Sequence, residues 1–113
     1  MRFHIPGRPV PFSRHIGTGR AGRHTPTYEA WRHEAALRLR VQHEGDPFSG
    51  AVILRAGVSV DGIDVEVCEA YGLVRPKLRG DLDNYVKAAG DALQDAGVLV
   101  NDRQVVKLEG WFQ

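Results

Sequence analysis

With 113 residues, 42% of them hydrophobic, the chain has the size and apolar content of one globular domain, which excludes intrinsic disorder. No run approaches the roughly 18 apolar residues of a membrane span, and residues 1–7 lack the apolar stretch of a secretory signal, so the expected location is cytoplasmic. The net charge of +1 hides an uneven layout, because residues 1–42 hold eight arginines and no lysine against Glu29 and Glu34. That basic arm reads as a phosphate-binding footprint, with a solvated charged surface as the alternative. A single cysteine, Cys68, excludes an internal disulfide and a thiolate-pair metal site.

In chain order, Arg2-Phe3-His4-Ile5 alternates in character and predicts a short strand ended by Pro6-Gly7. Glycine, proline and arginine then predominate to Pro26, which predicts a long basic loop. Thr25-Pro26 is an N-cap followed by proline at the first helical position. Tyr28, Trp31, Ala35 and Leu39 recur at helical spacing and predict a helix over about 26 to 43, closed by Gly45-Asp46-Pro47. Residues 51–60 are rich in β-branched side chains and predict a strand, with Asp61-Gly62 as a hairpin signal. The chain returns through Ile63, Val65 and Val67, and the alternation puts Asp64, Glu66 and Glu69 on a solvent face. Residues 72–80 form a basic loop. A second helix is predicted over about 82 to 96, with Val86, Ala89, Gly90 and Leu93 inward and Gly97 as a left-handed cap. Val98-Leu99-Val100 predicts a short strand, Asn101-Asp102 a turn, and residues 105–112 a final strand. The order β-α-β-β-α-β-β implies one α+β domain over residues 1–113, with a mixed sheet and two helices.

Asp81-Leu82-Asp83-Asn84 stands at the entrance to the second helix, with Lys87 one turn inside and Asp102 beyond the helix. Hard divalent cations take oxygen ligands, and magnesium combines a few carboxylates with water and phosphate oxygens. Such a cluster suits metal-assisted phosphodiester hydrolysis. Each residue also has a plain structural reading. An aspartate in the first turn caps a helix, Lys87 is spaced for an ion pair with Asp83, and Asp102 suits a turn. Two aspartates beside Asn84 exceed what one cap needs, and crowded carboxylates repel unless a cation separates them. An EF-hand is excluded by the missing loop glycine and twelfth-position glutamate.

The run Arg79-Gly80-Asp81-Leu82-Asp83-Asn84-Tyr85-Val86-Lys87, then Asp91-Ala92-Leu93, then Asn101-Asp102-Arg103-Gln104, resembles the RusA family of Holliday junction resolvases. Gly7-Arg8-Pro9-Val10-Pro11 with Arg14 resembles that family's opening segment, and Tyr28 and Trp31 fit its aromatic first helix. The resemblance implies a RusA-like homodimer that resolves four-way DNA junctions by paired symmetric nicks in recombination and repair. It implies Mg2+ as cofactor, with Mn2+ as a substitute. The metal carboxylates then fall on Asp81, Asp83 and Asp102, the essential lysine on Lys87, and Asp91 takes a structural place. Arg8, Arg14, Arg20 and Arg23 of the arm, with Arg75, Lys77 and Arg79 of the loop, are the expected DNA contacts. The alternatives are a branched-DNA or single-strand nuclease of the same fold, or a non-catalytic DNA-binding module. Three departures stand out: Arg79-Gly80 replaces Lys-Pro, Asn101 replaces an aspartate, and Phe12 replaces a basic residue. No aromatic residue directly precedes Asp81 to act as a wedge in the junction.

Overall fold

A computed structural model describes residues 1–12, 25–73 and 75–112 and divides the chain into two compact units, Met1–Tyr71 and Gly72–Gln113. The first is built around β3 (Gly62–Glu69), which pairs antiparallel with β1 (Arg2–Pro6) on one side and β2 (Val52–Ser59) on the other. Among the described residues the sheet is therefore purely antiparallel and three-stranded, not mixed as expected. Its register lines up Arg2, Glu66 and Arg55 across the strands, and Phe3, Val65 and Ala56 in the adjacent row. Side chains alternate between faces, so this alternation sorts charged from apolar rows. Arg2 and Arg55 both donate to Glu66, at 3.1 and 3.0 Å, and hold its carboxyl below the usual glutamate range. The expected solvent face for Asp64 and Glu66 is thus a charged ladder.

The hairpin turns one residue earlier than Asp61-Gly62 suggested. Ser59 pairs with Gly62, so Val60 and Asp61 form the loop, and the Ser59 hydroxyl accepts the Asp61 N–H at 3.2 Å. Gly62 is needed for a different reason from a turn: a Cβ there would lie 2.5 Å from the Ile5 carbonyl oxygen. The glycine marks close approach of β1.

Helix α1 (Pro26–Gln42) begins as its sequence predicts, with the Thr25 hydroxyl accepting the Tyr28 N–H at 3.3 Å. Tyr28, Trp31 and Leu39 are half-buried and Ala35 is buried, while Arg32, Arg38 and Arg40 are exposed. The predicted stripe is the packing stripe. At the far end of the helix the Gln42 amide closes the outer edge of β1, accepting the His4 N–H at 2.8 Å and donating to the His4 carbonyl at 2.7 Å. Ile5, Ala35 and Ala70 form the buried centre of this unit.

The second unit is helix α2 (Leu82–Asp95) followed by a 3-10 helix, Asp102–Gln104. Leu82, Val86 and Gly90 are its half-buried positions, whereas Ala89 and Leu93, also expected inward, are exposed. Gly97 ends α2 at φ +77°, with Gly97 N–H bonded to the Gln94 carbonyl and Val98 N–H to the Leu93 carbonyl, the pattern of a Schellman cap. The strands expected at 98–100 and 105–112 are not formed among the described residues. The cause for the first is local. Amides of Val98 and Leu99 bond to the Leu93 carbonyl, and those of Val100 and Asn101 bond to the Gln104 side chain, leaving no donors for a ladder. β-branched composition favours a strand only where a neighbour is there to pair with it.

Candidate active site at the start of the second helix

Asp81 is the N-cap of α2, with extended backbone at φ −77° and ψ 156°. Its carbonyl accepts the Asn84 and Tyr85 N–H groups at 3.1 and 3.3 Å. Its carboxylate makes no capping hydrogen bond. A capping aspartate normally spends its side-chain oxygen on the helix amides; this one leaves it available. Asp83 lies exposed in the first turn, where the positive end of the helix dipole favours its charge.

Lys87 does not make the ion pair with Asp83 that its spacing allowed. Its Nζ sits 3.9 Å from Asp91 Oδ1, with both side chains more than half exposed. A pair that long and that wet contributes a few tenths of a kcal/mol at most. Lys87 therefore remains free to answer another anion.

Asp102 opens the 3-10 helix, but its capping is done by neighbours. Asn101 Oδ1 accepts the Arg103 N–H at 2.9 Å, and Gln104 Oε1 accepts the Val100 and Asn101 N–H groups at 2.8 and 3.0 Å. This reciprocal arrangement is a capping box. Asn101 thus supplies the acceptor that an aspartate would supply there, and the departure from the family pattern is neutral for the turn. Gln94 on α2 accepts the Asp102 N–H at 3.2 Å, which ties the third carboxylate to the helix bearing the other two. Among the described residues no three His, Cys, Asp or Glu side chains converge closely enough to hold a metal ion. Asp81, Asp83 and Asp102 thus do not close into a three-carboxylate cage. Their donor chemistry still suits magnesium, which characteristically takes one or two carboxylates and fills its shell from water and substrate phosphate.

The loop before Asp81 is bracketed by two side chains. Arg75 Nη2 donates to the Leu78 carbonyl at 3.2 Å and to the Gly80 carbonyl, and its guanidinium lies 4.8 Å from the centre of the Phe112 ring. The Tyr85 hydroxyl accepts the Gly80 N–H at 3.0 Å, and its ring meets Phe112 edge-on. A Cβ at residue 80 would stand 3.0 Å from two carbons of the Tyr85 ring, so glycine fits the close approach.

Of the expected DNA contacts, Arg8, Lys77 and Arg79 are exposed and Arg75 is engaged within the loop. Arg14, Arg20 and Arg23 lie outside the described residues. Sequence reading missed the parts of Arg75, Tyr85, Gln94 and Gln104. The Asn101-x-x-Gln104 spacing is a legible capping-box signal, whereas nothing local in the sequence announces the other three.

No helix among the described residues is long and apolar enough to cross a membrane. Neither the curated proteins nor the solved structures contain a match to this chain. The model of the family Endodeoxyribonuclease RusA matches residues 6–112, and with that the acidic start of α2 falls within a family of DNA-cutting enzymes. The chain belongs to the RusA endodeoxyribonuclease family.

Proposed function

We propose that this protein is a magnesium-dependent endonuclease that resolves four-way DNA junctions, in recombination and repair. The observation that carries this reading is the Asp81 carboxylate, standing at a helix N-cap without capping, two residues before Asp83, which itself lies one turn before a weakly paired Lys87. Asp81, Asp83 and Asp102 are the residues that would hold a divalent cation, magnesium or manganese. When bound, that cation lowers the pKa of a water and offsets charge on the phosphoryl oxygens. The chain's own contribution is to hold hard oxygen donors at the positive end of α2 and to present an ammonium group one turn away. Lys87 stabilises the charge that grows on the phosphate as water adds and the 3′ oxygen leaves. The products are a 5′-phosphate and a 3′-hydroxyl.

A junction has approximate two-fold symmetry and must be cut twice in strands of like polarity. A homodimer, one domain per chain, supplies two matched sites. Asp83→Asn is the test. It removes a ligand and one negative charge facing phosphate, so cleavage of a four-way junction should fall by about a hundredfold or more, while junction binding holds or tightens. Calcium should support binding without turnover, because its looser geometry positions water poorly. Cleavage by Asp83→Asn near the wild-type rate, or brisk cleavage in calcium, would reject the site. Equal cutting of forks and duplexes would reject the junction preference and leave a less selective nuclease.

A further inference from the structure

The Asp81 carboxylate has no capping bond of its own, so its orientation follows from how its backbone is held. What governs the backbone is visible on both sides of it. The peptide joining Gly80 to Asp81 is held through the Gly80 carbonyl by Arg75. The peptide before it is held through the Gly80 N–H by the Tyr85 hydroxyl, at 3.0 Å. The Asp81 carbonyl is held in turn by the Asn84 and Tyr85 N–H groups. Tyr85 therefore straddles Asp81, gripping the chain before it with a side chain and after it with its backbone. Phe112 backs both gripping residues, one across its face and the other edge-on.

We propose that Arg75 and Tyr85 are positioning residues, which act through Gly80 to aim the Asp81 carboxylate; the proposal rests on the reading of Asp81 as a metal ligand. Arg75 lies in a loop with Lys77 and Arg79 and would by charge alone count as a phosphate contact. One of its nitrogens, Nη2, instead donates to two carbonyls while the guanidinium lies over a ring, a stacked site at which lysine is not an equivalent replacement. Gly80 fits the same logic. It brings the donor that Tyr85 requires, which a proline lacks, and the bare Cα that lets the ring approach. The residues around a ligand hold its orientation, and losing one commonly costs about tenfold to a hundredfold in metal affinity or activity.

The experiment compares Arg75→Lys and Tyr85→Phe with the unmodified protein by three measurements. Manganese affinity is read by electron paramagnetic resonance without DNA. Single-turnover cleavage of a four-way junction is read in magnesium. Junction affinity is read without divalent metal. Both variants should lose about tenfold or more in manganese affinity and in cleavage rate, with junction affinity unchanged. In Tyr85→Phe the Gly80 amide should also exchange faster with solvent, while amides of β3 keep their protection, which separates a local release from unfolding. Arg75→Lys retaining wild-type manganese affinity and cleavage would make Arg75 a point charge for phosphate and overturn the proposal. So would Tyr85→Phe with the same result. If the unmodified protein binds manganese but nicks no branched DNA, the nuclease reading fails while the manganese comparison still judges the positioning. If it binds no manganese, both fail together.

Discussion

Lys87 shows how little a spacing decides by itself. It stands four positions from Asp83 on one side and four from Asp91 on the other, and the side chain leans toward Asp91, at 3.9 Å. Exposed pairs of this kind are weak because water screens the charges and the long side chain loses freedom. Lys87→Ala should therefore leave the melting temperature nearly unchanged. Its cost should appear in chemistry, as a fall of about a hundredfold in single-turnover cleavage, with junction affinity within a factor of two or so, the outcome expected of a contact made mainly in the transition state. Equal losses in rate and affinity would make Lys87 a DNA-binding residue, and an unchanged rate would leave it a surface ion pair. Asp81 carries the complementary lesson. Its position as N-cap was legible from the sequence, but only the structure shows that its carboxylate is spared the capping task.

Among the elements, the sheet is held on its exposed face by Glu66, clamped between Arg2 of β1 and Arg55 of β2. Hydrogen bonds from Arg2 and then Arg55 lower the folded-state pKa of Glu66 below that of an unfolded glutamate. The stability from this clamp is thus present above the unfolded value and lost as pH falls through the folded one. Glu66→Gln should lower the thermal midpoint near neutral pH, and the gap to wild type should shrink steadily in acid. Melting curves for both proteins from neutral to strongly acidic pH would check this; a constant gap would assign the effect to packing. The α1 helix was readable because its signals are local: a threonine cap, a proline at the first position and an apolar stripe. The C-terminal strands were not, since a strand forms only where neighbouring amides and carbonyls are free to pair. Here the Schellman cap and Gln104 consume the amides of residues 98–101 first.

For the molecule as a whole, charge layout bears on how DNA is met. Arg14, Arg20 and Arg23 lie within the first 42 residues, which hold eight arginines, and each phosphate contact releases condensed counterions from DNA. Replacing the three with alanine should weaken junction binding and reduce the slope of log affinity against log salt by up to roughly three units. An unaltered slope and affinity would move the DNA surface to Lys77 and Arg79. The family of this protein was legible in its sequence, because the acidic run, the lysine and the late aspartate are recognisable by type and spacing alone. So were the limits of both helices, whose caps lie within a few residues of what they cap. Tertiary structure decided the rest: an antiparallel sheet in place of a mixed one, a hairpin loop one residue early, and Arg75 bonded to the loop before Asp81. Those outcomes depend on partners distant in the chain, such as Phe112 for Arg75 and β1 for Gly62. A local pattern names the groups a residue carries, and only the folded chain determines which of them are already engaged and which remain free to react.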